Sequence, residues 1–376
     1  MNERDVAIVL SGGGINGVLL ELGFLQRLRE SPLWPRVGWI FGTSAGALTG
    51  AMAALDRLDE LEEFTLRLQP HDVFAPQRLW QLPLSGLHRY TLPDTIAERL
   101  LDPLDLAEEL ARAPIEVVVF ATDVSEQEED SYELAYSSHT APTETMAQAV
   151  LASAAISALV LPLPVGDRIA TDGGWVRNFP LGCAHDQPGV ELVVAFRHVP
   201  RYAHLGAEPL VRLRSRLQRF RAVPPIRSLI AQLDEAEARE ARGEPVHFGD
   251  MLIRLMRVSI QRNTALEERL AAERDAVCRE LESLREDLVE LAREHARPGR
   301  RDRAARAVEQ RFARSPLPRS VPQILVRGSG GRDSLELGIR GSSPWTEHAK
   351  RALTARGWNA ADAELRAYEA LLERAS

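Results

Sequence analysis

The residues best suited to chemistry are Gly42-Thr43-Ser44-Ala45-Gly46, a G-x-S-x-G arrangement between an apolar run, Val37 to Phe41, and a helical pattern, Ala47 to Leu58. A serine at a sharp strand-to-helix turn is lifted above the sheet, and small neighbours let the turn form and a substrate approach. The helix that follows adds unpaired N–H groups and the positive end of its dipole, which favour negative charge developing nearby. Ser44 is therefore a candidate nucleophile for acyl transfer. Such a nucleophile needs an oxyanion site, and Ser11-Gly12-Gly13-Gly14-Ile15-Asn16-Gly17 can supply it. Consecutive glycines free the backbone to aim several N–H groups at one point, and no Cβ blocks the approach. Backbone donors are expected at Gly12, Gly13 and Gly14, with Gly17 in support. The same glycines satisfy the G-x-G-x-x-G of a dinucleotide-binding loop. That reading asks for an acidic residue about 20 positions on, at the tip of the second strand. Here that strand runs straight into Gly42-Thr43-Ser44, which disfavours a nucleotide cofactor.

A serine nucleophile also needs a base. His185, His198 and His204 lie late enough for the order Ser, Asp or Glu, His. In the α/β-hydrolases that use this order several strands precede the elbow, whereas here only one does. Asp172 is the better candidate. It sits in Thr171-Asp172-Gly173-Gly174 after a short apolar run, where paired glycines again allow close backbone approach. Taken alone, an Asp-Gly turn is common in any protein.

In this order the pieces resemble the patatin-like phospholipase family. The matching features are Gly12 to Gly14 with Gly17, the elbow Gly42 to Gly46, the segment Ala152-Ser153-Ala154-Ala155-Ile156, and Asp172-Gly173-Gly174 followed by Asn178-Phe179-Pro180. The resemblance covers roughly residues 6 to 199. It implies a three-layer α/β/α core and a Ser-Asp dyad in which Ser44 attacks an ester carbonyl and Asp172 takes its proton. It also implies glycine-loop amides around the oxyanion, lipid acyl esters as substrates, and neither metal nor nucleotide as cofactor. Two positions depart from the family's usual pattern. Asn16 stands where it has Arg or Lys, and Ser157 where it often has proline. Asn16 keeps an alternative open, a weak or inactive patatin-like module that binds lipid or a partner.

The elements that must position these residues alternate between strand and helix. Val6 to Leu10 reads as a strand, Val18 to Arg29 as a helix, Ile115 to Thr122 as a strand buried on both faces, Thr145 to Ala158 as a helix, and Glu191 to Phe196 as another strand. That alternation predicts an α/β fold with a mostly parallel sheet. Past residue 200 arginine rises and helical segments replace strands. The expected division is a catalytic domain over 1–200, an Arg-rich helical region over 201–320 and a small C-terminal region over 321–376. Within the second, Leu210, Leu213, Leu217 and Phe220 make an apolar face among arginines, which suits a surface helix packed on the core and, as the alternative, an anionic membrane surface. Val277, Leu281, Leu284, Leu288 and Leu291 step by four and three. This short seam is expected to pack on its own domain rather than in a coiled coil. Arg297 to Pro322 reads as an exposed connector, Ile324 to Ile339 as a hairpin, and Asp362 to Arg374 as a helix.

Composition sets the outer bounds. The chain has 376 residues, 45% hydrophobic and 27% charged, enough apolar material for a sizeable core. A formal charge of −8 argues against general nucleic-acid binding, which depends on an excess of Lys and Arg. Two cysteines, Cys183 and Cys278, make neither a disulfide framework nor a zinc site and point to a reducing compartment. The 22 residues Thr145 to Gly166 carry no charge and match a bilayer in length. Gln148, Pro162 and Pro164 suit a buried helix and an extended segment better. Composition thus suits a soluble, cytoplasmic protein, and the resemblance implies a lipid acyl hydrolase with peripheral contact to membranes.

Overall fold

The first strand, β1 (Val6–Leu10), is buried along its whole length, as a strand in the middle of a helix-covered parallel sheet must be. Val6, Ile8 and Leu10 enter one apolar cluster, and Ala7 and Val9 enter another, because successive strand side chains point to opposite faces. The computed structural model describes residues 4–76, 88–125, 132–155, 160–200, 214–215, 217–221, 223–242, 248–314, 320–331, 334–335 and 345–375. In it β2 (Val37–Thr43) and β9 (Leu192–His198) flank β1, both parallel to it. β5 (Glu116–Asp123) extends the parallel sheet beyond β2, and β10 (Gln323–Gly328) extends it beyond β9. The far edge turns antiparallel. There β6 (Glu133–Ser137) and β8 (Arg168–Asp172) pair with β5, and β7 (Leu163–Val165) pairs with β8. A separate two-stranded ribbon joins β3 (Phe74–Pro76) to β4 (His88–Tyr90).

Helices cover both faces and complete three layers. The cluster on one face is filled from α1 (Gly14–Arg29), α2 (Ala45–Ala54), α3 (Leu58–Arg67), α6 (Pro103–Arg112), α7 (Thr143–Ser153) and α13 (Glu347–Ala375). On the other face Phe179, between α8 (Gly174–Arg177) and α9 (Leu181–Asp186), packs with Leu181, Ala184 and Ala271 of the long α11 (Phe248–His295). The remaining helices are α4 (Pro70–Val73), α5 (Leu92–Arg99), α10 (Pro224–Ala241) and α12 (Arg301–Ala313).

Several expectations change. The C-terminal segment is not a region apart. Ile324 and Val326 of β10 are buried in the sheet beside β9, whose edge supplies the hydrogen-bond partners. α13 lies on α1, with the Gly23 and Gly357 α-carbons packed against the Thr354 and Leu20 carbonyls of the facing helix. Nor is the second region independent, since Ala271 belongs to the second core. β10 pairs in parallel with β9, and the rest of the expected hairpin at 324–339, residues 332–333 and 336–339, lies outside the described residues. The expected connector at 297–322 contains α12, whose Ala305 is buried. The seam on α11 does not pack on its own domain: Val277, Leu284 and Leu291 stay exposed, and a different row, Thr264, Ala271 and Cys278, faces the body. Leu210, Leu213 and His204 lie outside the described residues, as do Ile156 and Ser157. Among the described residues no helix is long and apolar enough to cross a membrane.

Candidate active site

Ser44 stands where β2 ends and α2 begins, with φ 55° and ψ −117°. For a residue with a Cβ this geometry costs on the order of 1–3 kcal/mol and persists only where the surroundings hold it. Two contacts hold it here. Gly46 packs on β1 so closely that a Cβ would come within 2.6 Å of the Leu10 carbonyl oxygen. The Ser44 N–H donates to Ser153 Oγ at 2.8 Å, and the Ser153 hydroxyl in turn donates to the Phe120 carbonyl at 2.6 Å. The Ser44 hydroxyl is left to donate to Asp172 Oδ2, at 2.7 Å.

Asp172 ends β8 and is fixed from three sides. Its N–H donates to the Ala155 carbonyl at 3.1 Å, and its carbonyl accepts from Thr122 Oγ1 at 2.8 Å. Its second carboxylate oxygen, Oδ1, accepts from the Gly174 N–H at 2.7 Å. The end of α7 therefore sets both partners: Ser153 holds the backbone of Ser44, and Ala155 holds the backbone of Asp172. Burial pushes the Asp172 carboxyl up to about 6, while the Gly174 N–H and the Ser44 hydroxyl pull it back down. At neutral pH the group is mostly ionised, and it already touches the proton it would accept.

The glycine loop starts α1. Gly13 is the N-cap and Gly14 adopts φ 55°, so their N–H groups head the helix, where no intrahelical acceptor exists. Gly12 departs from expectation. Its N–H donates to the Asn178 carbonyl at 3.0 Å, which removes it from the oxyanion donors and leaves Gly13 and Gly14 as candidates. Gly12 serves instead as the floor beside Ser44, where a Cβ would stand 3.2 Å from Ser44 Cβ and overlap the Asn178 side chain. Asn16, the departure from the family pattern, bonds in both directions to the backbone of Leu335, at 2.9 and 2.7 Å. It ties the C-terminal segment to the first turn of α1.

No histidine bonds to Ser44 or Asp172 among the described residues. The His198 ring lies against Gly13, and burial holds it down to about 4, so it is neutral at physiological pH. His185 Nε2 is 3.2 Å from Gln323 Oε1. Beyond Asp172 the loop is tied to α11. Asn178 Nδ2 donates to Thr264 Oγ1 at 2.8 Å, Asn263 Nδ2 donates to the Trp175 carbonyl, and Arg177 meets both Glu133 and Glu267. Ser153 and Asn178 stood in the sequence motifs without a role, and their signals were the Ala152 to Ile156 segment and Asn178-Phe179-Pro180. Thr264 had none.

The family model described as patatin-like phospholipase matches residues 8–185, just under half of the chain. No curated protein matches the chain. Among solved structures, the crystal structure of VipD from Legionella pneumophila is similar over 97% of this chain and 67% of that one, with 15% identity and a TM-score of 0.39.

Proposed function

We propose that the chain, whose residues 8–185 match the patatin-like phospholipase family model, hydrolyses lipid acyl esters, with Ser44 as nucleophile and Asp172 as its base. The observation that carries this reading is the 2.7 Å hydrogen bond between two buried side chains, Ser44 and Asp172. In the first half-reaction Ser44 Oγ bonds to the ester carbonyl carbon as its proton moves to Asp172 Oδ2. The carbonyl π electrons move to oxygen, where the N–H groups of Gly13 and Gly14 and the end of α1 receive the charge. Collapse of that adduct breaks the C–O bond, and Asp172 gives its proton to the departing alkoxide. In the second half-reaction Asp172 takes a proton from water, whose oxygen attacks the acyl-serine, and fatty acid leaves as Ser44 recovers its proton.

A lipid substrate agrees with the rim above the site. Val124, Tyr132 and Ile169 are exposed; at the end of β5 the Val124 N–H donates to the Ile169 carbonyl and the Asp123 N–H to the Tyr132 carbonyl. Asp172 is paired with Ala121, so Val124 stands about 10 Å further out at roughly 3.3 Å per residue. An apolar rim at that height suits acyl chains entering from an aggregate, and peripheral contact with membranes belongs to the same proposal.

The test is fatty-acid release from lysophospholipid micelles beside hydrolysis of a soluble short-chain ester. Wild type should turn over both, and Ser44→Ala should lower both rates about 10³-fold or more. Undiminished turnover in a folded Ser44→Ala protein would contradict the assignment.

A further inference from the structure

Along α11 two rows of residues, each spaced by seven, lie on different faces. Thr264, Ala271 and Cys278 are buried against the α/β body, at 0, 4 and 1% exposure. Leu270, Val277, Leu284 and Leu291 face away and keep 51, 55, 49 and 49% of their surface in solvent. From Val277 onward Leu281 and Leu288 fill the alternate positions, giving the three-and-four spacing by which one helix packs against another. The seam from Leu270 to Leu291 runs about 32 Å at 1.5 Å per residue. Scattered exposed apolar residues are ordinary on a protein surface, whereas a continuous row of this length marks a contact.

Charge beside the seam selects the occupant. Glu273, Glu280, Asp287 and Glu294 stand on its solvent side, again seven apart and all exposed, and Glu273 also bonds to Arg269. These are the flanking positions that meet the flank of a partner helix. A second copy docked antiparallel would set this acidic row against itself. Docked parallel, it would need the opposite flank, where Ala271 and Cys278 are already buried and Arg285 alone is exposed to meet the acidic row. An anionic bilayer would meet the same acidic row. We infer that the outer seam of α11 docks an amphipathic helix of another protein, one with Lys or Arg along its flank.

The test uses the full chain and two dye-labelled synthetic helices of about three heptads, both with Leu at the seam positions. One carries Lys at its flanks and the other Glu. Anisotropy should show the Lys-flanked helix binding at least about tenfold more tightly than the Glu-flanked one, with the difference shrinking as salt screens the acidic row. Val277→Glu with Leu284→Glu should abolish that binding without changing the thermal melt, since both side chains point away from the body. Equal binding of the two peptides, or binding that survives the double substitution, would overturn the inference. So would a dimer of the protein alone, or binding to anionic vesicles, that the same double substitution removes.

Discussion

The Ser44–Asp172 end of the sheet and the outer face of α11 use side chains in opposite ways. At the sheet, Ser44, Ser153, Asp172 and Asn178 are polar and buried, and each is hydrogen-bonded to another of the set or to a neighbouring group. On α11, leucines stand half in water. A buried polar group is costly unless it is bonded, so every atom at that end of the sheet depends on the place of its neighbour. An exposed apolar side chain has no such dependence. The Ser44–Asp172 end should therefore answer sharply to small changes, and the α11 face should absorb large ones.

The largest expected effect is at the elbow. Gly46→Val places carbon atoms into the Leu10 backbone and should cost several kcal/mol, roughly enough to unfold an ordinary domain. Loss of the cooperative melt is the readout, and a folded Gly46→Val protein would break the contrast at its root. Asp172→Asn comes next, with opposite effects on activity and stability. Activity should fall about 10³-fold or more. In wild type, burial raises the folded carboxyl to about 6 from an ordinary 3.8, so the unfolded chain sheds its proton first as pH rises. Wild-type stability then falls between about pH 4 and 6 and stays lower above, by on the order of 1–3 kcal/mol. The neutral amide of Asp172→Asn carries no such cost, so the variant should melt higher than wild type at pH 7.5 and without that advantage at pH 4. Melts at both pH values check this, and equal differences at the two would count against a buried, raised carboxyl.

Ser153→Ala sharpens the comparison further, because it touches neither substrate nor proton. It leaves the strained Ser44 N–H without an acceptor, so kcat should drop about 10- to 100-fold with KM nearly unchanged, and Ser153→Thr should restore part of the rate. A proportional rise in KM would instead place Ser153 in substrate binding. The smallest effect belongs to Leu284→Glu on the outer face of α11. Its stability should stay within about 0.5 kcal/mol of wild type, with ester hydrolysis unchanged. A large destabilisation would mean that the seam is already covered.

What could be read beforehand divides along the same line. The elbow, the glycine loop and Asp172-Gly173-Gly174 were legible because close backbone approach demands glycine over a few consecutive positions. That β1, β2, β5 and β9 run parallel was expected from local alternation, whereas their order in the sheet was not. Contacts between distant positions left no such mark. The Ser44 amide and the Ser153 hydroxyl are 109 residues apart, and nothing in either segment announces that Asn178 takes the Gly12 amide. The antiparallel edge, and the return of β10 to the sheet, depend on edges that form only after the rest has folded. On α11 the periodicity was visible and the buried face was not. The row against the body is Thr264, Ala271 and Cys278, small residues that let the helix lie close, while the more apolar leucine row faces water.

The central claim is that Ser44 is activated by Asp172 alone. It is tested most directly by labelling the folded protein with a fluorophosphonate, beside Ser44→Ala and Asp172→Asn, and mapping the adduct by mass spectrometry. A single adduct is expected on Ser44, absent from Ser44→Ala and strongly slowed in Asp172→Asn, with the wild-type labelling rate rising through about pH 6 as the buried carboxyl loses its proton. An adduct on another residue, or labelling of Ser44 at the wild-type rate in Asp172→Asn, would contradict it.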